Sequence, residues 1–347
     1  MRKGGREAAP LLFTENSSKT FTFMRHCGVI SKGEGGLHMF SYSGLAQQLN
    51  KKGISKTDLV TILGISSRTI AKIGKGEKLS KVVIEKLCNY FNCSPDDIFR
   101  EISDNHILQI LRDEKSAKIS GGLYHELQVR MTYNSNHIEG SKLTEDQTRL
   151  IFETNTLDIG DGIPVDDVLE TVHHFRAIDY VIDCAEETLS EEIIKQLHYI
   201  LKHDTKDSTL EWFAVGDYKK RANVVGGRET AKPKDVPEKM RALLDAYNAK
   251  ANITIDDIVE LHSDFEHIHP FQDGNGRVGR LVALKECLKH HIIPFIIEDS
   301  KKVFYYRGLS EWNNEKGYLI DTFLDGQDAF KRLLDMFDIS YEIPSIG

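Results

Sequence analysis

The 347-residue sequence has few cysteines, and none of them is placed where a partner would be expected. The five are odd in number, are scattered and never form a CxxC pair; they are Cys27, Cys88, Cys93, Cys184 and Cys287. This usage argues against a disulfide framework and against a zinc site. It predicts a protein of the reducing cytoplasm.

Long apolar runs are also absent. No stretch approaches the roughly 20 apolar residues that span a bilayer, and the first residues lead only into a short apolar patch at 10–13. The sequence therefore predicts a soluble protein that is not secreted. Its 40% hydrophobic and 28% charged residues predict a globular chain with room for about two domains.

The net charge of −8 is unevenly distributed. Residues 41–100 contain ten Lys/Arg against five Asp/Glu, which gives +5, and residues 1–40 carry +3. Residues 101–347 therefore carry −16. A small basic module is joined to a large acidic one, which indicates two partners of opposite charge.

Hydrophobic periodicity divides the chain into segments and predicts a mainly α protein. The only predicted β element is a hairpin within residues 212–227. The predicted segments are a disordered arm at 1–38, four or five short helices at 39–102, a connector at 103–122, a helix at 123–140 and a large helical domain at 141–340. Because Met39 directly precedes the first periodic segment, it is a candidate for the natural start.

One loop carries residues suited to phosphate chemistry. The segment His269–Arg280 reads HPFQDGNGRVGR and lies between two predicted helices. Gly274 and Gly276 let the backbone approach a ligand, and the free N–H groups at the start of the second helix favour an anion. Arg277 and Arg280 occupy neighbouring positions on that helix, and their guanidinium groups suit phosphate oxygens. The loop is therefore a candidate polyphosphate site.

Two further side chains add chemistry to this loop. Asp273 offers the hard oxygen that Mg²⁺ takes together with substrate phosphates, and His269 can accept a proton near neutral pH. A plainer interpretation is a glycine-containing helix start beside a core histidine. Another is a metal cluster, although its members lack the HExxH order; they would be His262, Glu266, His267 and His269.

The segment resembles, residue for residue, the HPFxDGNGRxxR signature of the Fic family. The resemblance implies a helical Fic fold with a short β-hairpin flap, and transfer of AMP from ATP to a Ser, Thr or Tyr hydroxyl of a target protein or of the enzyme itself. It implies that His269 deprotonates the hydroxyl and that Asp273 holds Mg²⁺. The other implied roles are α- and β-phosphate binding by Asn275 and the Gly274 and Gly276 amides, β- and γ-phosphate binding by Arg277 and Arg280, and a buried wedge at Phe271.

Residues 216–227 resemble the flap of that family, whose strand edge aligns the target by main-chain pairing. The family often has arginine where this chain has Lys219, and an ordinary edge hairpin is the alternative. Candidates to line the nucleobase pocket are Tyr305, Tyr306 and Asn313, with core packing as the alternative for the tyrosines. Because this pocket lies outside the signature, transfer of UMP or phosphocholine stays open.

Residues 135–140, SNHIEG, resemble the inhibitory motif (S/T)xxxE(G/N) of the family. Apolar residues at four-residue steps predict a helix here, which places Ser135 and Glu139 one turn apart. The resemblance implies that Glu139 pairs with Arg280 and blocks the γ-phosphate position; a solvated glutamate before the helix-ending Gly140 is the alternative. A carboxylate there can also position a water, so removal of AMP is a second activity that the sequence leaves open.

Residues 54–73 resemble the helix-turn-helix of phage-repressor-type regulators, with the turn at Gly64. In this resemblance the major groove of DNA would be contacted by Ser67, Arg68, Thr69 and Lys72. One module per chain predicts a homodimer on paired half-sites. The alternatives are a helical adaptor that does not touch DNA and, for the whole chain, a transcription regulator that uses the Fic domain as a nucleotide sensor.

Overall fold

A computed structural model describes residues 39–74, 78–102, 106–156, 162–339 and 341. The arm predicted at residues 1–38 lies outside this range. The mainly α fold class is confirmed, because helices dominate and the sheets found among the described residues are two short antiparallel strand pairs. Within the same part of the chain, no helix combines the length and the apolar character needed to cross a membrane.

The N-terminal unit joins four short helices to a pair of strands. Its elements are β1 (Met39–Ser41), α1 (Ser43–Lys52), α2 (Asp58–Leu63), α3 (Ser67–Gly74), α4 (Lys81–Phe91) and β2 (Arg100–Ile102). Strand β1 pairs antiparallel with β2, and Phe40 lies opposite Glu101. The sequence did not predict this pair, because strands so short and so far apart in the chain leave no local pattern.

The turn between α2 and α3 follows from local sequence. Gly64 adopts a left-handed conformation with φ 62° and ends α2. The Ser66 hydroxyl then accepts the Thr69 N–H at 3.1 Å, which caps the start of α3. Ile65 and Ile73 are buried in the core of this unit. Helix α3 therefore packs on its apolar side and leaves its polar side facing outward.

The remaining described chain forms ten helices and one short hairpin. The helices are α5 (His106–Ala117), α6 (Leu123–Ile138), α7 (Glu145–Thr154), α8 (Val165–Asp183), α9 (Glu191–Lys202), α10 (Val236–Asn248), α11 (Ile255–Ile268), α12 (Asn275–Lys289), α13 (Lys302–Glu311) and α14 (Gly317–Met336). The hairpin pairs β3 (Val224–Val225) with β4 (Arg228–Glu229). It is shorter than the predicted 212–227 and extends two residues beyond that range. Helix α13 was not predicted.

Helix α12 is enclosed on every side. Its residues from Val278 to Leu288 are all buried, because α6, α8, α9 and α11 pack around it. A helix enclosed in this way belongs in the interior of a domain. Its N-terminus therefore lies inside the fold, where the loop from α11 arrives and where α6 ends.

Candidate functional site

His269 ends α11 in a strained backbone conformation. It adopts φ 52° and ψ 63°, and its N–H donates to the carbonyl of Phe265 at 2.9 Å. Non-glycine residues in the left-handed region are uncommon and often occur at functional sites. Burial, and after it the positive charge of Lys219, lower the pKa of His269 to about 4. The imidazole is therefore neutral near pH 7 and is able to accept a proton.

The loop after His269 is held by an aromatic anchor and an amide clamp. Phe271 is fully buried and stacks on His198, with ring centroids 4.0 Å apart. The Asn275 Oδ1 accepts the Phe271 N–H at 2.8 Å, and its Nδ2 donates to the Phe271 carbonyl at 2.9 Å. The resemblance implied a phosphate contact for Asn275. Here both polar side-chain atoms fix the loop, which leaves the main-chain N–H of Asn275 for an anion.

The start of α12 offers free donors to an anion. The Val278 N–H donates to the Gly274 carbonyl at 3.0 Å, so the N–H groups of residues 275–277 precede the first intrahelical bond. Gly274 has φ 79°, which glycine adopts without strain. A Cβ at position 276 would overlap the Glu139 carboxylate. An anionic group therefore already lies against this helix end.

Arg280 holds that anionic group in place. Its Nη2 donates to the Glu139 Oε1 at 2.7 Å and to the Ser135 carbonyl at 2.9 Å, and its Nε donates to the Ser135 hydroxyl at 3.0 Å. Its Nη1 donates to the Tyr305 hydroxyl at 3.3 Å. Arg280 is 2% exposed, whereas the Glu139 side chain is 29% exposed. A buried guanidinium is thus paired with a carboxylate that solvent can reach.

Asp273 lies in a second, neutral group of charges. The Lys202 ammonium is 2.7 Å from Asp273 and 2.5 Å from Glu170, and Arg277 contacts both carboxylates. Burial alone would raise the pKa of Asp273, but Arg277 and Lys202 lower it well below its usual range. The side chain of Asp273 is half exposed and ionised, so it can offer an oxygen to a cation.

These surroundings fit Mg²⁺ delivered with a polyphosphate. Among the described residues no three His, Cys, Asp or Glu side chains converge as metal ligands. The alternative cluster of His262, Glu266, His267 and His269 therefore has no support. A single carboxylate next to a phosphate seat is an arrangement that Mg²⁺ commonly uses, because substrate oxygens and waters complete its shell.

The nucleobase candidates occupy different environments. The Tyr306 hydroxyl donates to the Ile138 carbonyl at 3.0 Å, next to Glu139, and its ring is partly exposed. Tyr305 is buried, and its hydroxyl is 2.8 Å from the His262 Nε2. Asn313 is exposed on the turn after α13. Tyr305 therefore supports Arg280 from within the core, while Tyr306 borders the open side.

The predicted DNA-contacting residues share one stretch of α3. Ser67 and Arg68 are exposed, and Thr69 and Lys72 are half-buried. All four lie on the first two turns of the helix that follows Gly64. This is where helix-turn-helix proteins place base contacts.

Two residues of this site were not singled out in the sequence, Lys202 on α9 and Glu170 on α8. Glu266 was considered only as a metal ligand; it lies on α11, with its carboxyl 3.9 Å from the His269 Nδ1. Lys202 carried a weak signal, since it directly follows the core residue Leu201 at the end of an amphipathic helix. Lys219 was considered only for its contact with a target, but the structure buries it beside the loop that follows His269.

Glu266 yields a pH-dependent stability prediction. Burial, and then the nearby Glu139 charge, raise the pKa of Glu266 from 4.5 to about 8. A folded carboxyl that binds its proton more tightly than the unfolded one makes stability fall as pH rises from about 4.5 to about 8. Glu266→Gln keeps the neutral form, so its free energy of unfolding relative to wild type should increase between pH 5.5 and 8.5.

The measurement is urea unfolding of both proteins at the two pH values. Each pKa unit corresponds to about 1.4 kcal/mol. We expect a relative gain on the order of 1–3 kcal/mol, since part of the burial relaxes. Glu238→Gln, on the exposed side of α10, is the matched control and should show no such pH dependence. An equal change in the free energy of unfolding for Glu266→Gln and wild type between the two pH values would show that Glu266 is ionised over this whole pH range.

Each of the two parts of the chain matches a known family. Residues 188–287 match the Fic/DOC family, and residues 45–104 match the Cro/C1-type HTH DNA-binding domain. The protein adenylyltransferase Fic of Drosophila willistoni is 27% identical over 232 residues, which cover 64% of this chain and 45% of the fly protein. This chain thus matches less than half the length of that relative.

Solved structures with the same fold come from bacteria and animals. A Fic domain containing signaling protein from Bacteroides thetaiotaomicron aligns with a TM-score of 0.55 and 24% identity, over 70% of this chain and 97% of that one. Fic-1 from C. elegans aligns with a TM-score of 0.53 and 18% identity, over 84% of each chain. At these identities the likeness establishes the fold alone.

Proposed function

We propose that this chain, a protein with a Fic domain behind a Cro/C1-type helix-turn-helix domain, is a protein adenylyltransferase that its own Glu139 inhibits. The observation that carries the proposal is the arrangement at the start of α12. Free N–H groups, a buried Arg280 and a neutral His269 converge there, and a carboxylate occupies the anion position. Sequence similarity to proteins named adenylyltransferases supports the same reaction class.

The proposed reaction moves AMP to a hydroxyl. The hydroxyl oxygen of the target attacks the α-phosphorus of ATP, and His269 takes up the hydroxyl proton. The bond between the α-phosphorus and the oxygen that bridges to the β-phosphate breaks, and pyrophosphate leaves with the electron pair. A base that is already neutral near pH 7 suits this step, because no prior deprotonation of the imidazole is needed.

Different residues of the chain would bind the phosphates of ATP and the Mg²⁺ ion. The N–H groups of residues 275–277 and the Arg277 and Arg280 guanidiniums are the donors we assign to the phosphates. Asp273 would hold Mg²⁺, which neutralises phosphate charge when bound. Arg277 and Lys202 keep Asp273 ionised, and Lys202 joins it to Glu170.

Glu139 inhibits, in this proposal, by occupying the seat of the γ-phosphate. Its carboxylate lies against Gly276 and bonds to Arg280, so ATP in the productive pose would meet a like charge. The site can be opened by moving one partly exposed side chain, without unfolding α6.

The test is identification of the product. Glu139→Gly and Glu139→Gly/His269→Ala are incubated with ATP and lysate, and modified hydroxyls are identified by mass spectrometry. AMP on Ser, Thr or Tyr with the first variant and not with the second supports the proposal. Binding of ATP without any transfer would favour a nucleotide sensor, and a different added mass would assign UMP, phosphocholine or another group.

A second function, DNA binding by the N-terminal unit, rests on the exposed start of α3. Arg68 is exposed one residue after the helix begins, with Ser67 beside it. Because the basic charge of the chain is concentrated in this module, we propose that it binds DNA as part of a homodimer. A helical adaptor with the same fold would not need this charge.

Arg68→Ala is expected to weaken DNA binding about tenfold or more, the effect of losing a contact of roughly 1–3 kcal/mol to a base. The measurement is a mobility shift at low salt against random genomic fragments, followed by the fragments that bind. Arg241→Ala on α10 removes an exposed arginine far from the module in sequence and should leave the shift unchanged. A flat titration with the wild-type protein would identify the module as an adaptor.

A further inference from the structure

Three polar side chains close the base of the flap. The Lys219 ammonium donates to the Asn223 Oδ1 at 2.8 Å and to the Thr230 hydroxyl at 2.6 Å. The Thr230 hydroxyl donates to the Asn223 carbonyl at 3.1 Å. Lys219 is 3% exposed. We call Lys219, Asn223 and Thr230 the flap clasp, because they join the segments before and after the β3–β4 hairpin.

The flap clasp is tied to the main chain on both sides of His269. The Lys219 N–H donates to the Pro270 carbonyl at 2.8 Å, and the Asn223 Nδ2 donates to the Phe271 carbonyl at 3.3 Å. On the other arm, the Ala231 N–H donates to the Ile268 carbonyl at 3.3 Å. These contacts therefore fix the distance between the flap and His269.

A lysine is a costly choice for a purely structural role at this place. The oxygens that its ammonium contacts are neutral, and burial lowers the pKa of Lys219 to about 8. An apolar side chain of similar length would fill the space without desolvating a charge. Its positive charge also lowers the pKa of the His269 imidazole.

Three charged groups act on His269, Lys219 from the flap, Glu139 from α6 and Asp273 from the loop. Helix α11 adds a backbone hydrogen bond at Glu266, whose buried carboxyl has a raised pKa. Lys219 is the cation of this set, and its charge opposes protonation of the imidazole, whereas the carboxylates favour it. Its removal would therefore raise the pKa of His269.

We propose that Lys219 is a positioning residue of the transfer reaction, which holds the flap edge over His269 through the flap clasp. This inference rests on the proposed function and adds to it. A target segment paired with the exposed edge at Val224 and Val225 would be placed by the clasp relative to the base. Only a hydroxyl held at that distance from His269 can attack the α-phosphorus productively.

The test uses the full chain with Glu139→Gly, and the probe is self-labelling with ATP carrying a label on the α-phosphate. Adding Lys219→Met should lower the labelling rate at least tenfold, while the ATP dissociation constant in calorimetry changes less than twofold. The acid limb of the pH–rate profile should move to higher pH, because the cation opposing His269 protonation is gone. Lys220→Met, one residue along and exposed, is the matched control and should change none of these quantities.

Two further variants separate positioning from folding. Lys219→Arg keeps the charge and should return the acid limb to its parental position. Thr230→Val keeps the shape of the clasp but removes one acceptor, and should lower the rate at least threefold with no change in the acid limb. If Lys219→Met is unstable, these two variants test the proposal in its place.

Amide hydrogen exchange gives a readout that does not depend on activity. Loss of the clasp should speed exchange of the Lys219 and Ala231 amides, which donate to the loop main chain. The inference is overturned if Lys219→Met labels, titrates and exchanges like Lys220→Met. Absence of labelling or ATP binding in the Glu139→Gly parent would instead refute the proposed function, and the exchange result would still decide whether Lys219 holds the flap.

Discussion

Glu139→Gly should raise AMP transfer about 10- to 100-fold. The carboxylate forms a charge-assisted hydrogen bond to Arg280 at 2.7 Å, and such a bond contributes roughly 1.5–3 kcal/mol. ATP in the productive pose must displace it, so the bond opposes binding of the γ-phosphate by a comparable amount. Removal of Glu139 leaves Arg280 bonded to Ser135 and Tyr305, which keep the guanidinium in place.

The measurement is transfer of labelled AMP from ATP to the protein itself and to lysate proteins. Glu139→Gln keeps the size but not the charge, and its rate should lie between those of wild type and the glycine variant. Glu153→Gly, near the end of α7, controls for a new glycine on a neighbouring helix. Equal labelling by wild type and Glu139→Gly would show that the Glu139–Arg280 pair does not inhibit.

Adding His269→Ala to the Glu139→Gly variant should lower the rate by about 10²- to 10⁴-fold, the range for loss of a general base. The ATP dissociation constant should change little, because the phosphate donors belong to α12. His267→Ala is the control. His267 lies two residues before His269, and its Nδ1 hydrogen-bonds to the Ser263 carbonyl. A double variant that transfers AMP at the parental rate would remove His269 from the mechanism.

The position of His269 also fixes the pH dependence. Its pKa is about 4, so the imidazole is unprotonated from pH 5 upward. The rate should be insensitive to this group between pH 6 and 8, and should fall as pH drops through about 4. The Glu139 charge raises this pKa, so the glycine variant should show its acid limb at or below that of wild type.

Local sequence predicted the parts of the fold that depend on local interactions. Helices α6 and α11 begin and end where their apolar periodicity does. The loop after His269 was predicted as an anion site, because glycines and arginines at fixed spacing define a helix start. Gly64 and Ser66 likewise bound the helix-turn-helix by turn and cap chemistry.

Non-local contacts escaped prediction for physical reasons. Lys202 and Glu170 meet Asp273 only because three segments pack together. The buried position of Lys219 depends on the loop after His269, to which its N–H donates. Asn275 shows a related limit, since the motif specifies an amide there but not that the amide bonds to Phe271.

The most direct test of the account is calorimetric titration of ATP with saturating Mg²⁺ into wild type, Glu139→Gly and Glu139→Gly/Arg280→Ala. We expect ATP to bind more tightly when Glu139 is removed, because the carboxylate competes with the γ-phosphate for Arg280. This gain should be lost when Arg280 is also removed, because Arg280 binds that phosphate. No nucleotide uptake by the Glu139→Gly protein would contradict the account.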